Sequence, residues 1–374
     1  MSTDQPDADA FAMDVAEEAE QMDAGFVLFF FSQALISAAD LAAAVTRHSP
    51  RLHHAGCSTA GEITPFGIEE GQTLAILFPS RSFTVAGRMI RGLSITGMDA
   101  IAADVGVLRR TLAARTGRSS ETETFAICLI DGMSFAEETV TSAIHWGLDD
   151  IPLVGGSAGD DLKFETTTLF YDGIVDNDAA VVLLVSTDVP FQVFKTENFV
   201  ATDEKLVVTA SDPDRRIVRE FNAVSAAEEF AFAIGVVPDA LTPLSFASHP
   251  VVVRVGGEYY CRSIQKLNAD RSLSFFCAID DGVVLSIAQP TELVETTRSA
   301  FEDIGRRIGR VDVILGFDCV LRRLDARNRQ VLRDLSELYR ANNLIGFGTY
   351  GEQYRTMHLN QTLTGIAFGC REAA

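Results

Sequence analysis

Hydrophobic positions along the chain fall into one pattern that occurs three times. Each copy opens on a short apolar run of the length of a buried strand: Phe26 to Phe31, Phe125 to Ile130, and Val311 to Phe317. Behind each run the apolar residues take helical spacing, with Leu41, Val45 and His48 in the first copy, Val140 and Ile144 in the second, and Leu324, Val331, Leu335 and Leu338 in the third. Ser37 followed by Asp40, and Ser134 followed by Glu137, read as helix start signals. Every helix leads through a strand-like stretch into a glycine loop: A-G-C-S-T-A-G-E ending at Glu62, V-G-G-S-A-G-D ending at Asp160, and I-G-F-G-T-Y-G-E ending at Glu352. Strand, helix and strand at this spacing predict a parallel pair with a right-handed crossover.

Beyond each loop the pattern turns antiparallel, as in Thr73 to Phe78 with Ser82 to Arg88, Thr166 to Tyr171 with Ala179 to Val185, and Leu363 to Phe368. Lys163 to Tyr171 as a whole reads as strand, Pro250 to Ile287 as a strand-rich stretch, and Glu292 to Ile308 as a helix. The expected fold is α/β: three repeated βαβ units with added antiparallel strands, mixed sheets and packed helices, in two modules. Residues 1–24 are expected to be a disordered acidic tail, 25–225 the N-terminal module and 226–370 the C-terminal module.

Composition narrows the partners. With 31 Lys and Arg against 52 Asp and Glu, the formal charge of -21 repels nucleic acid and anionic lipid alike. No apolar run approaches a membrane span, and the acidic start is unlike a secretory signal, so a cytoplasmic location is expected. The six dispersed cysteines, with no C-x-x-C pair, are expected to be reduced thiols and not zinc ligands.

The loops are the candidate binding elements, because glycine lets backbone N–H groups approach a ligand. They contribute Gly56, Cys57, Ser58, Thr59, Gly61 and Glu62 from the first copy, and Gly155, Gly156, Ser157, Gly159 and Asp160 from the second. The third adds Gly346, Thr349, Tyr350, Gly351 and Glu352, with Asn360 shortly beyond. Tight turns alone are the competing explanation. A phosphate cradle is excluded by the closing carboxylates and the missing lysine, which favour a zwitterion, a neutral molecule or a cation. Gly155, Ser157 and Gly159 stand in the order of a hydrolase elbow, but no good helix pattern follows within a turn; an enzyme is therefore not expected, and hydrolase or protein-binding scaffold are the alternatives.

The chain resembles the FIST proteins over nearly its whole length beyond the acidic segment. The likeness rests on G-C-S-T-A-G-E-I from Gly56, I-D-G-M-S from Ile130, V-G-G-S-A-G-D-D from Val154, G-E-Y-Y-C-R-S-I from Gly257, G-F-G-T-Y-G-E-Q-Y from Gly346 and H-L-N-Q-T from His358. The resemblance implies a two-part sensory domain for small ligands, amino acids being one proposed class. Some relatives look like haem proteins that sense nitric oxide and regulate histidine kinases or cyclic-di-GMP enzymes. Nothing in this chain reads as an output domain, so a signal is expected to leave through a separate partner. For haem, His358 is the preferred axial ligand among His48, His53, His54, His145, His249 and His358, and Cys57 is a lesser thiolate candidate.

Overall fold

The computed structural model describes residues 1–118 and 120–370. The first unit comprises β1 (Ser2–Thr3), α1 (Ala8–Met22), β2 (Ala24–Phe31), α2 (Ala38–His48), β3 (His53–Ser58), β4 (Glu62–Thr64), β5 (Gly67–Glu69) and β6 (Thr73–Pro79). The second repeats that order with β7 (Phe83–Arg91), α3 (Met98–Thr116), β8 (Thr124–Ile130), α4 (Glu137–Leu148), β9 (Leu153–Ser157), β10 (Leu169–Tyr171), β11 (Ile174–Asp176) and β12 (Ala179–Thr187).

The third unit starts with β13 (Phe191–Glu197) and is interrupted by β14 (Phe199–Asp212), β15 (Ile217–Phe221), β16 (Val224–Ser225), α5 (Ala226–Ala233), α6 (Pro243–Ser248), β17 (Val251–Val255), β18 (Glu258–Arg262), β19 (Ile264–Leu267), β20 (Leu273–Phe275) and β21 (Val284–Pro290). It resumes with α7 (Leu293–Ile308), β22 (Val311–Cys319), α8 (Val320–Asn328), α9 (Leu332–Ala341), β23 (Leu344–Thr349), β24 (Glu352–Tyr354), β25 (Met357–Leu359) and β26 (Thr362–Gly369).

Three sheets share one strand order: β1-β6-β2-β3-β10-β11, β7-β12-β8-β9-β24-β25, and β13-β26-β22-β23-β4-β5. In each, the central pair is parallel, as the crossovers require, and the last two strands are a hairpin lent by another unit. The second unit lends β10–β11 to the first sheet, the third lends β24–β25 to the second, and the first lends β4–β5 to the third. The units are therefore interlaced in a ring. Inner faces of all three sheets meet in one core that includes Phe30, Leu129 and Phe347, while the helices cover the outer faces. The interruption forms a separate sheet, β18-β17-β21-β14-β15-β20-β19, with its own core around Phe221, Phe230 and Phe275.

Several expectations need correction. The acidic segment is not a disordered tail: β1 pairs with β6, and α1 buries Phe11, Ala12, Val15 and Ala19 against the first sheet's helix layer. Its charges occupy the outer face of an amphipathic helix. The single helix read over Leu324 to Leu338 is two, α8 and α9, separated at Gln330, whose φ is 60°. Ser37 caps α2 by accepting from Asp40 N at 3.1 Å, but Ser134 does not cap α4: its hydroxyl donates to Asp131 O at 2.7 Å. Of Lys163 to Tyr171 only Leu169–Tyr171 is strand. Gly56, Gly155, Gly156 and Gly346 lie within strands. A Cβ on Gly155 or Gly346 would stand 1.8 Å from the carbonyl oxygen of Cys128 or Gly316, so close strand approach demands glycine there.

Candidate functional site

The three glycine loops converge, and they converge on one another. Gly159 N donates to Ser58 O at 3.0 Å and Asp161 N to Thr59 O at 3.1 Å, joining the first and second loops. Ala60 N donates to Gly348 O at 2.9 Å, and Gly348 N to Gly61 O at 2.7 Å. Ser157 N donates to Gly351 O at 2.7 Å, and Tyr350 N returns a bond to Ser157 O at 3.1 Å. The amides expected to face a ligand are thus spent within the ring of loops.

The closing carboxylates tie hairpins. Glu62 accepts from Thr59 Oγ1 and from Gln72 N at 2.9 Å; Glu352 accepts from Thr349 Oγ1, and from Thr362 Oγ1 at 2.7 Å and Thr362 N at 3.2 Å. Burial pushes the Glu62 carboxyl up to about 7 and that of Glu352 up to about 8. Asp160 gathers the N–H groups of Phe164, Glu165 and Thr166, together with the Tyr350 hydroxyl. Ser58 Oγ accepts from Thr168 N at 3.0 Å. Ser157 Oγ accepts from Gln353 Nε2 at 3.0 Å, so its partner is an amide and not a base. Cys57 is fully buried, and burial holds its thiol far above the ordinary range, which disfavours a thiolate.

A different place stands out once the three borrowed hairpins are aligned by register. Ile63 faces Ile68 across β4–β5, Phe170 faces Val175 across β10–β11, and Gln353 faces His358 across β24–β25. Two of these equivalent pairs are apolar; the third is an amide and an imidazole, at 0% and 3% exposure. Three polar side-chain atoms here have no hydrogen-bond partner among the described residues: His358 Nε2, Gln353 Oε1 and Asn360 Oδ1. His358 and Asn360 both face Gly351, where a Cβ would meet His358 Nε2 at 2.7 Å and Asn360 Nδ2 at 3.1 Å. Gln353 Nε2 lies 3.3 Å from His358 Nδ1. Turned either way, the Gln353 amide leaves one of its two ends unmatched.

Around these atoms stand α4 and the inserted sheet. Arg216, from the β14–β15 turn, donates through Nη2 to Glu137 at 2.6 Å and Glu138 at 2.7 Å, and through Nη1 to Phe276 O at 2.8 Å. Burial raises the Glu137 carboxyl to about 7 against the pull of Arg216. For Glu138 burial acts upward, but His358 and Arg216 outweigh it and the net shift is downward. Burial is also the main cause that lowers His358 to about 4, so the ring is neutral at pH 7; Glu138 and the Phe276 carbonyl oppose the shift, although Nε2 makes no bond of acceptable geometry to that oxygen. Arg262 Nη1 donates to His358 O at 3.2 Å and Cys261 O at 3.3 Å, with no carboxylate partner among the described residues.

Tyr350, Phe164, Phe276, Met133 and Leu162 form an apolar wall beside this floor. No group of three or more His, Cys, Asp or Glu side chains among the described residues is placed to hold a metal ion. A surface groove of about 530 Å³ between α1 and the α2–β3 turn lies elsewhere and is lined by residues that include Glu17, Glu20, Asp23 and Arg51, with no unpartnered buried atom. Chemistry outranks volume in choosing between them.

The FIST N domain model matches residues 25–224 and the FIST C domain model matches residues 226–355. The chain belongs to the FIST family. FIST domains are small-ligand sensory modules of signalling proteins. No curated protein matches the chain in sequence. Among solved structures, a chorismatase crystal structure is similar over 92% of each chain at 6% identity with a TM-score of 0.33, too low for anything to be transferred from it. No helix among the described residues is long and apolar enough to cross a membrane.

Residues at the polar hairpin were partly foreseen in the FIST motifs: His358, Asn360, Ser157, Tyr350 and Gly351 gather there, while Cys57, Ser58, Thr59 and Glu62 sit at the other loop contacts. Gln353, Glu137, Glu138, Arg216, Arg262 and Phe276 were missed. Extending the match of Glu62 with Glu352 along both hairpins sets Gln353 against Ile63 and His358 against Ile68, a signal that finds Gln353 but none of the other five.

Proposed function

We propose that this FIST chain senses a small polar ligand of the amino-acid type, bound between the β24–β25 hairpin, the N-terminus of α4 and the inserted sheet. The observation that carries the reading is a pair of buried polar side chains on one hairpin, Gln353 and His358, at positions that are apolar in the other two, each with an atom that has no partner among the described residues, with Asn360 Oδ1 likewise unpartnered just beyond the hairpin. An unpaired buried polar group costs about 1–3 kcal/mol, and a ligand or ordered water that matches it recovers much of this. In the neutral tautomer that accepts from Gln353, His358 offers an Nε2–H donor beside the acceptors on Asn360 and Gln353. Arg262 suits a carboxylate and Glu138 an ammonium. The output passes to a separate cytoplasmic partner of the histidine kinase or cyclic-di-GMP enzyme kind.

Haem fits these residues poorly. An axial imidazole needs its nitrogen clear for an iron about 2 Å away, with an apolar slot beyond. The Cε1–Nε2 edge of His358 instead faces Gly351, with the Asn360 amide beside it.

Thermal shift and calorimetric titration of the full chain with the common amino acids and with hemin test the assignment. At about 100 times Kd a ligand adds about 2.7 kcal/mol of stability. The expected result is stabilisation by one amino-acid class, lost in Asn360→Leu and Gln353→Leu. A panel without effect leaves these atoms to ordered water and overturns the reading. A Soret band that requires His358 replaces it with haem.

A further inference from the structure

The wall beside the polar floor holds an aromatic stack that local backbone preference opposes. Phe164 lies on Tyr350 with ring centroids 4.6 Å apart and planes 22° from parallel, and Phe276 is 6.2 Å from Phe164. Tyr350 is nearly buried, whereas Phe164 is half-buried on a loop whose Lys163, Glu165 and Thr166 are exposed. Three of the four residues from Asp161 to Phe164 are non-glycine residues at positive φ: Asp161 at 57°, Leu162 at 65° and Phe164 at 55°. Bulky side chains rarely adopt that conformation, and clusters of it occur where a site demands a set shape. Asp160 holds the loop in place by accepting from the N–H groups of Phe164, Glu165 and Thr166 while its carboxylate also takes the Tyr350 hydroxyl.

What the strained loop achieves is a ring laid flat on Tyr350, one residue from Gly351 and next to Asn360, whose Nδ2 donates to Tyr350 O at 3.5 Å and whose Oδ1 has no partner among the described residues. Phe276 links the two halves, with its ring in the wall and its carbonyl on Arg216 in the floor.

We propose that the ligand carries a planar ring that takes the place of Phe164 on Tyr350, making the preferred class an aromatic amino acid. Phe164 is then the stand-in that covers Tyr350 until ligand arrives. This rests on reading the site as one for an amino-acid-type ligand.

Calorimetric titration of the full chain with L-phenylalanine, L-leucine and phenol, for wild type and Phe164→Ala, separates the two ideas. The wild type is expected to bind L-phenylalanine about tenfold more tightly than L-leucine, the upper range for one ring pair. Phe164→Ala is expected to tighten L-phenylalanine further and to gain phenol binding, because the competing ring is gone. Should Phe164→Ala fail to fold, Phe164→Leu keeps bulk without a stacking face and carries the same expectation. Equal affinity for L-leucine and L-phenylalanine, with no phenol bound by either variant, overturns the ring slot and leaves the amino-acid site standing. Phenol bound by the variant, with no amino acid bound by any form, upholds the slot and overturns the amino-acid reading. Absence of both overturns both.

Discussion

Hairpins β4–β5, β10–β11 and β24–β25 occupy the same place in three sheets, yet only the third fills it with an amide and an imidazole. The backbone does not require polarity there. Ile63 with Ile68, and Phe170 with Val175, show what the fold itself prefers: apolar side chains beneath a covering helix. The third hairpin also lies beneath α4 and meets the inserted sheet, through Arg262 on the His358 carbonyl. Two departures from the repeat coincide at one spot, which is the ground of the proposed ligand site.

Substitutions at equivalent positions can break that comparison. The largest effect is expected for Phe170→Ala, which removes a fully buried ring packed on Phe29 and Phe31 and should cost about 3–5 kcal/mol in urea unfolding. Gln353→Ala, its counterpart, should cost far less, and equal losses would deny the distinction. Next comes Ile68→His, which places an unpartnered imidazole beneath α9 and should destabilise by about 1–3 kcal/mol. His358→Ile with Gln353→Ile makes the third hairpin resemble the first; we expect about 1 kcal/mol of gained stability together with loss of ligand binding. A loss of stability instead would mean that the polar pair serves the fold.

A further comparison is in pH dependence. His358 is depressed to about 4, so the folded state holds fewer protons than the unfolded one between about pH 4 and 6.5, and stability rises with pH across that window. Glu352 is raised to about 8, so the folded state holds more protons from about 4.5 to 8, and stability falls as pH rises through it. His358→Gln should remove its rising contribution, and Glu352→Gln its share of a fall to which Glu62 and Glu137, raised to about 7, also contribute. The two contributions oppose each other between about pH 4.5 and 6.5, so melting temperatures from pH 4 to 9 are compared between each variant and wild type, and unchanged profiles would contradict the burial of these groups.

Much of the repeat was legible because a buried parallel strand needs a continuous apolar run, and Phe26, Phe125 and Val311 each open one. The acidic segment was misread for a physical reason: net charge describes one face of α1 and hides Phe11 and Val15, which lie one turn apart on the other. Glycines at strand ends pointed to loop convergence but not to its result, since the bonds between loop amides join residues far apart in the chain. Arg216 and Glu137 lie 79 residues apart, and no local pattern pairs them.

The ring of borrowed hairpins has a consequence for how the chain is made. The edge of β9 is completed by residues 352–354, and the edge of β23 by residues 62–64. As the ribosome delivers the chain from its N-terminus, the second sheet waits with an unpaired edge through the synthesis of nearly two hundred further residues. During that interval β9 is open to pairing with strands of other nascent chains. The late strand that closes this edge is the one that carries Gln353, so the second sheet and the proposed ligand site are completed together.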